Sequence, residues 1–202
     1  MPIGFAGGTL TPPGNLLVAA PGTGNWTVTL WLRTAAITYI YPRTVWYLNN
    51  GHVLRVSTSN QAQFYYGSGS DNFGAITPAQ WTHIAVTKQG TTAARYYLNG
   101  AYQSQRTTGF SSDDSASSVI GNWPGSSDYI SSYLDQVTVW DAVLTDGEIA
   151  HEYATRRPKR TANLRAWYPF LDKSAADFVR DYSGNGRDLT ITGYVAANSS
   201  IP

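Results

Sequence analysis

Trp26-Thr27-Val28-Thr29-Leu30-Trp31-Leu32-Arg33-Thr34 is the stretch whose alternation decides the fold. Successive side chains of a strand point to opposite sides. Trp26, Val28, Leu30 and Leu32 therefore share one face, while Thr27, Thr29, Trp31 and Arg33 share the other. Bulky residues stand on both faces of this period-two segment.

Working outward, the same signal recurs at short intervals. Residues 44–48 and 52–58 read as a hairpin across Asn49-Asn50-Gly51, and 61–66 continue the pattern. Trp81 to Thr87 and Ala93 to Leu98 flank a turn containing Gly90. Asn99-Gly100 then turns the chain into 101–107, a dipeptide favoured in tight hairpins because both positions tolerate positive φ. Residues 110–118, rich in Ser and Asp, read as a loop, and Tyr133 to Trp140 as a further strand.

One helix interrupts the strands. Thr145-Asp146-Gly147-Glu148 fits a capping box, with Leu144 and Ile149 in the staple positions around it. The helix is expected over about 145–153 and to stop before Arg156-Arg157-Pro158, since a proline disfavours helix at the residue before it. The fold class that follows is all-β, a single domain over residues 1–202 with one short helix.

Composition agrees. The chain has 202 residues, within the range of one all-β domain (~200–250 residues). Charged residues make up 13% and aromatic residues 13%. Disorder requires the reverse balance, so a folded core is expected. The net charge of +1 gives no general attraction for nucleic acid or anionic membrane. Cysteine is absent, which excludes disulfides, Cys-ligated zinc and thiol catalysis. Met1-Pro2-Ile3-Gly4-Phe5 lacks a charged and an apolar signal region, so no secretory signal is expected. The aliphatic run Leu16 to Ala20 is too short to span a bilayer.

Three segments, in order, resemble the laminin-G-like, concanavalin A-like jelly roll. The first is Asn25 to Thr34. The second is Gln80-Trp81-Thr82-His83-Ile84-Ala85-Val86-Thr87 with Arg95-Tyr96-Tyr97-Leu98-Asn99-Gly100. The third is Tyr133-Leu134-Asp135-Gln136-Val137-Thr138-Val139-Trp140, followed by Ala142-Val143-Leu144-Thr145 and Glu148-Ile149. The resemblance covers 25–153 and implies a two-sheet antiparallel β-sandwich. Leu164 to Phe170 and Asp181-Tyr182-Ser183-Gly184-Asn185-Gly186-Arg187-Asp188 resemble a segment that usually opens this fold, but here they come last. Sandwich termini often lie close together, so 164–195 is expected to supply strands closing the sandwich beside residues 3–18.

Glycosidases of this shape carry paired glutamates on one strand, whereas Glu148 and Glu152, the only two glutamates here, both fall on the helix. Hydrolysis needs two carboxylates flanking the bond; aspartates could substitute, but no expected strand carries two of them on one face, so no enzyme is expected. His52, His83 and His151 lack metal-motif spacing, and His83 is expected to be a strand residue with a local hydrogen bond. Asp181, Ser183, Asn185 and Gly186 match the first ligand positions of a calcium loop, but Thr192 stands where a bidentate Glu belongs. The other reading, a tight turn with positive φ at Gly184 or Gly186, is preferred. Calcium at that loop is the one cofactor left open. The resemblance adds Asp71, Asn72, Asp128 and Asp135 as alternative ligands. Arg156, Arg157, Lys159 and Arg160 read as a solvated linker rather than a nucleic-acid patch.

The aromatic surplus is the better lead. Tyr65-Tyr66 and Tyr96-Tyr97 are adjacent pairs, so one ring of each faces away from the other. Trp31 poses the same question, as do Trp123, Asp128 and Tyr129 around the loop Pro124-Gly125-Ser126-Ser127. Tyr65, Tyr66, Trp123, Asp128 and Tyr129 are the candidate ligand- or partner-binding residues. Exposed aromatic rings can stack on sugars or anchor an interface. Two functions are expected from the resemblance, both non-catalytic. One is a virion-surface structural or adhesion protein decorating a bacteriophage capsid or tail, with further copies or other structural proteins as partners. The other is an extracellular, glycan-binding lectin-like module.

Overall fold

The computed structural model describes residues 3–5, 8–13, 16, 24–35, 41–49, 52–67, 69–107, 110, 118–124, 130, 132–170, 179–192 and 195–197. Among them the chain forms fifteen strands and one helix. The strands are β1 (Ile3–Phe5), β2 (Thr9–Thr11), β3 (Trp26–Thr34), β4 (Arg43–Asn49), β5 (His52–Val56), β6 (Gln61–Tyr65), β7 (Ser70–Ala75) and β8 (Thr82–Gln89). They continue as β9 (Ala93–Leu98), β10 (Ala101–Arg106), β11 (Val119–Ile120), β12 (Ser132–Trp140), β13 (Leu164–Tyr168), β14 (Thr190–Thr192) and β15 (Val195–Ala197). The helix, α1 (Asp146–Thr155), lies between β12 and β13.

Two antiparallel sheets result. The first runs β10-β9-β8-β3-β12, with β1 and β13 sharing the far edge of β12 and β15 outside β1. The second runs β14-β2-β11-β4-β5-β6-β7. On β12, Tyr133 and Leu134 pair with β1, while Val137 to Trp140 pair with β13. Between them Gln136 adopts φ 49, and the register against β3 shifts between Asp135 and Thr138. The late segments meet the early ones: Thr190 pairs with Thr11, and Ala197 with Ile3.

The alternation of β3 sorts its side chains as read. Trp26, Val28, Leu30 and Leu32 join Trp46, Leu54, Phe64, Tyr96 and Tyr168 in the core between the sheets. Asn99 and Gly100 take φ 50 and 76, the paired positive values of a tight β9–β10 turn. Strand β7 was not anticipated, since Ser70-Asp71-Asn72-Phe73-Gly74-Ala75 carries one bulky apolar residue. It is held by ladder pairing to β6 and by Phe73 stacking on Tyr96 at 5.0 Å. The expected loop at 110–118 lies largely outside the described residues.

The capping box forms as the sequence demands. Thr145 accepts from the Glu148 amide, and Glu148 reaches back to the Thr145 amide at 2.8 Å. The helix ends at Arg156, whose left-handed φ of 55 directs its N–H to Glu152 O. Leu144 and Ile149 close the staple and join Ala85, Tyr97, Trp140 and Leu164 in a second apolar cluster. That cluster fixes α1 against the outer face of the first sheet. No described helix is long and apolar enough to cross a membrane.

Candidate functional site

The two sheets present outer faces of opposite character. On the first, Thr29 and Trp31 of β3, Thr138 and Trp140 of β12, and His83 and Tyr97 of β8 and β9 point away from the core. All are buried, because α1 lies over them. Tyr153 stacks on Trp31 at 5.4 Å, and the Arg156 guanidinium covers Trp31 at 4.3 Å while reaching Asp135 at 3.4 Å. Arg160 pairs with Glu148 at 2.6 Å and lies over Trp140. Arg95 and Tyr97 both donate to Asp146. Arg156 and Arg160 therefore clamp the helix instead of forming the solvated linker expected from the sequence.

Beneath the helix sits a closed polar network. Glu152 Oε2 stands 2.7 Å from Thr29 Oγ1 and 3.0 Å from Thr138 Oγ1, and the two hydroxyls are 2.7 Å apart. Three contacts need three protons, and two hydroxyls supply two. A proton on the carboxyl supplies the third, so the triangle favours the neutral acid of Glu152. Burial pushes its pKa up to about 7, and the charge of Glu148 adds to that, against the pull of Thr29, Thr138 and Trp140. Among the described residues both imidazole nitrogens of His83 lack a partner, as does Glu152 Oε1. The local hydrogen bond of His83 is made by its backbone N–H to Asn99 Oδ1, not by its ring. Burial and the nearby Arg156 charge push the His83 pKa down to about 3.

The outer face of the second sheet carries no helix among the described residues. Across it runs a strip of rings and planar polar groups. Trp123 contacts Tyr47 of β4 at 5.5 Å and Tyr65 of β6 at 5.8 Å. Arg55 of β5 lies over the Tyr65 ring at 4.6 Å and donates Nε to Gln63 Oε1 at 2.7 Å. Gln63 in turn donates to Asn72 Oδ1 of β7 at 2.8 Å. Burial draws the Arg55 guanidinium below its ordinary range. Tyr65 and Trp123 are half-buried, so their rings are seated yet reachable, and Tyr65 fixes its phenol by donating to Gly67 O at 2.6 Å.

Beyond Asn72 the strip meets a cleft of about 490 Å³ between the edges of β7 and β10. Its floor is an Arg106–Asp71 pair in bidentate contact, at 2.7 and 3.0 Å, with Tyr96 donating to the same carboxylate at 3.0 Å.

The strip and the cleft sort the sequence candidates. Tyr65 and Trp123 come together on the open face. Tyr66 does not join them: it points inward, is 6% exposed in the core cluster, and lies under Arg106 at 4.1 Å. Asp128 and Tyr129 lie outside the described residues. Asp71 and Asn72 already serve Arg106, Tyr96 and Gln63. Asp135 is buried, accepts from the Gln136 amide and pairs with Arg156. At the tail, Asp181 accepts from the amides of Trp167, Ser183 and Arg187 and from the Ser183 hydroxyl. Asn185 turns its amide donor onto Leu164 O and Arg165 O. With φ of 87 at Gly184 and 66 at Gly186, this is the tight-turn arrangement, its aspartate oxygens engaged by protein donors. No group of three or more metal-ligating side chains occurs among the described residues.

Arg55, Gln63 and Tyr47 were missed in the sequence. Their signal was alternation: Tyr47, Arg55, Gln63 and Tyr65 all occupy the polar-facing parity of strands whose other parity is Trp46, Leu54 and Phe64. Glu152 was also missed. It falls three residues after Ile149, on the stripe that faces the sheet.

A sandwich of this topology with a family match settles the class. Residues 6–150 match the laminin-G-type family model described as the concanavalin A-like lectin/glucanase superfamily. The chain belongs to this superfamily. Among solved structures, a protein described as carbohydrate-binding from Bacteroides ovatus superposes with a TM-score of 0.76 at 15% identity, covering 98% of this chain and 60% of its own. A heptameric pentraxin from Limulus polyphemus gives 0.58 at 16% identity, over 75% of this chain and 81% of its own. The sialidase of Trypanosoma rangeli gives 0.56 at 14% identity, over 66% of this chain and 23% of its own. At such identities these lectin-like neighbours share the fold alone. No curated protein matches the chain by sequence.

Proposed function

We propose that this superfamily member is a non-catalytic carbohydrate-binding module, and that its sugar platform is the outer face of the second sheet. The observation that carries the reading is the strip Trp123–Tyr65–Arg55–Gln63–Asn72 on a face that α1 leaves open. A sugar ring is apolar on its C–H faces and ringed by hydroxyls. An indole offers it a flat apolar partner, and planar amide and guanidinium groups offer fixed donors and acceptors for neighbouring hydroxyls. Rings and amides are already held by each other, so little side-chain entropy is lost on binding.

Two observations support the absence of hydrolysis. Glu148 is committed to the helix cap and Arg160, and Glu152 is buried under α1 with its Oε2 held by Thr29 and Thr138. Neither can flank a glycosidic bond. The Bacteroides neighbour, described as carbohydrate-binding, points the same way. We place the module on an exposed surface, a virion's or a cell's. Immunogold labelling of purified particles and of envelope fractions separates those two settings.

The test is a printed glycan array followed by calorimetry with the best hit. Binding that falls about tenfold or more in both Tyr65→Ala and Trp123→Ala, with unchanged melting, supports the platform. Binding indifferent to both substitutions places the ligand elsewhere.

A further inference from the structure

The platform holds a cation that the fold leaves unbalanced. Arg55 stands half-buried, with its guanidinium over Tyr65 and only its Nε spent, on the neutral Gln63. Among the described residues no carboxylate pairs with it, and its two terminal nitrogens have no hydrogen-bond acceptor. Five other arginines of the sandwich face a carboxylate: Arg95 has Asp146, Arg106 has Asp71, Arg156 has Asp135, Arg160 has Glu148 and Arg165 has Asp141. Arg55 is thus a partly desolvated charge, with a cost that a bound anion would remove.

The position of the charge is specific. The guanidinium lies between the ring pair Trp123–Tyr65 on one side and the amides of Gln63 and Asn72 on the other. A sugar stacked on Trp123 and extending along the strip would pass its ring substituents over the terminal nitrogens of Arg55. Four N–H donors in one plane match a carboxylate or sulfate better than a hydroxyl, because charge-assisted, paired bonds are roughly twice as strong as neutral ones. Tyr65 offers Arg55 a ring face and no carboxylate, and its phenol donates to Gly67 O.

We propose that the ligand of this platform is an acidic glycan, whose carboxylate or sulfate is taken by the terminal nitrogens of Arg55. The inference rests on the platform reading above and adds the ligand's class. Carboxylated and sulfated sugars share the recognising chemistry, and the experiment separates them.

Binding is measured against matched pairs on one array. Uronate-containing oligosaccharides are printed beside their carboxyl-reduced forms, sialylated glycans beside their desialylated forms, and sulfated glycans beside their desulfated forms. The wild type is expected to bind one acidic class at least about tenfold better than its neutral partner, as a charge-assisted bond implies. Arg55→Gln should erase that preference while keeping the melting temperature, and Arg55→Lys should restore part of it. Added sodium chloride should weaken the acidic ligand and leave any neutral one unaffected.

Equal binding of acidic and neutral partners overturns the inference and leaves the platform standing. A preference that survives Arg55→Gln overturns it as well. No binding to any glycan on the array overturns the platform reading and this inference with it.

Discussion

Tyr97 and Tyr65 begin as equals. Each belongs to an adjacent tyrosine pair on a strand, and each points out of the sandwich while a neighbouring ring, Tyr96 or Tyr66, points in. Tyr97 is nevertheless fully buried, and Tyr65 remains half-exposed. The difference lies in what is laid over each sheet. The first sheet is roofed by α1, whose cap, staple and arginine clamps seal Trp31, His83, Trp140 and Glu152 away from water. The second has no such roof among the described residues, and its outward groups are rings, amides and one guanidinium. The same alternation thus builds a stability element on one face and a recognition surface on the other.

Substitutions on the two faces should separate stability from binding. The largest effect is expected from Ile149→Ala, which empties the staple beneath the helix. A loss of about 2–5 kcal/mol in unfolding free energy, read from urea denaturation, is expected, and a loss well under ~1 kcal/mol would mean that α1 is not the roof. Glycan affinity of the folded fraction should be unaltered.

Next comes a pH effect peculiar to the roofed face. The Glu152 pKa rises from an ordinary 4.5 to about 7 on folding. The folded state therefore holds its proton more tightly, and the stabilisation is complete below about pH 4.5 and lost as pH rises through 7. A shift of that size corresponds to about 3 kcal/mol. His83 acts in the opposite sense: its pKa falls from 6.5 to about 3 on folding, so it takes stability away as pH drops below 6.5 and offsets the Glu152 contribution there. Asp135, raised by burial, acts in the same sense as Glu152. The test is therefore the difference between wild type and Glu152→Gln in chemical denaturation from pH 4.5 to 8, which should shrink as pH rises through 7. A difference that does not change with pH, or that grows with it, would show that the triangle of Thr29, Thr138 and Glu152 does not hold a proton.

Arg156→Ala removes the guanidinium from Trp31 and leaves Asp135 without its ion pair. Because Arg156 is itself substantially exposed, the expected loss is only about 1 kcal/mol, visible as a small fall in the denaturation midpoint. Tyr65→Ala sits at the far end of the scale, with a stability change below ~1 kcal/mol and the binding loss described above. A Tyr65 variant that unfolds the protein would mean that the open face is structural after all.

The sequence made much of this legible, for reasons that are local. The alternation in β3, the Asn99-Gly100 turn and the Thr145–Glu148 box act within a few residues, so reading them requires no tertiary knowledge. The identity of the roofed face was not legible. Strand parity says which side chains leave the sandwich, but the cover over Trp31 comes from Tyr153 and Arg156, more than a hundred positions away. Tyr66 is a different case: it shares the parity of Phe64, so alternation alone directs it into the core, where it lies under Arg106. Glu152 looked like an ordinary helical glutamate until Thr29 and Thr138 were brought to it by the β3–β12 pairing.

The central claim is that ligand meets the second sheet and not the helix. Backbone amide NMR, titrating the best glycan from the array into isotopically labelled protein, tests it directly. We expect the perturbed resonances to cluster in 43–49, 52–56, 61–65 and 122–123, with α1 and residues 82–89 silent. Perturbations confined to α1 and the strands beneath it would contradict the assignment of the open face as the site.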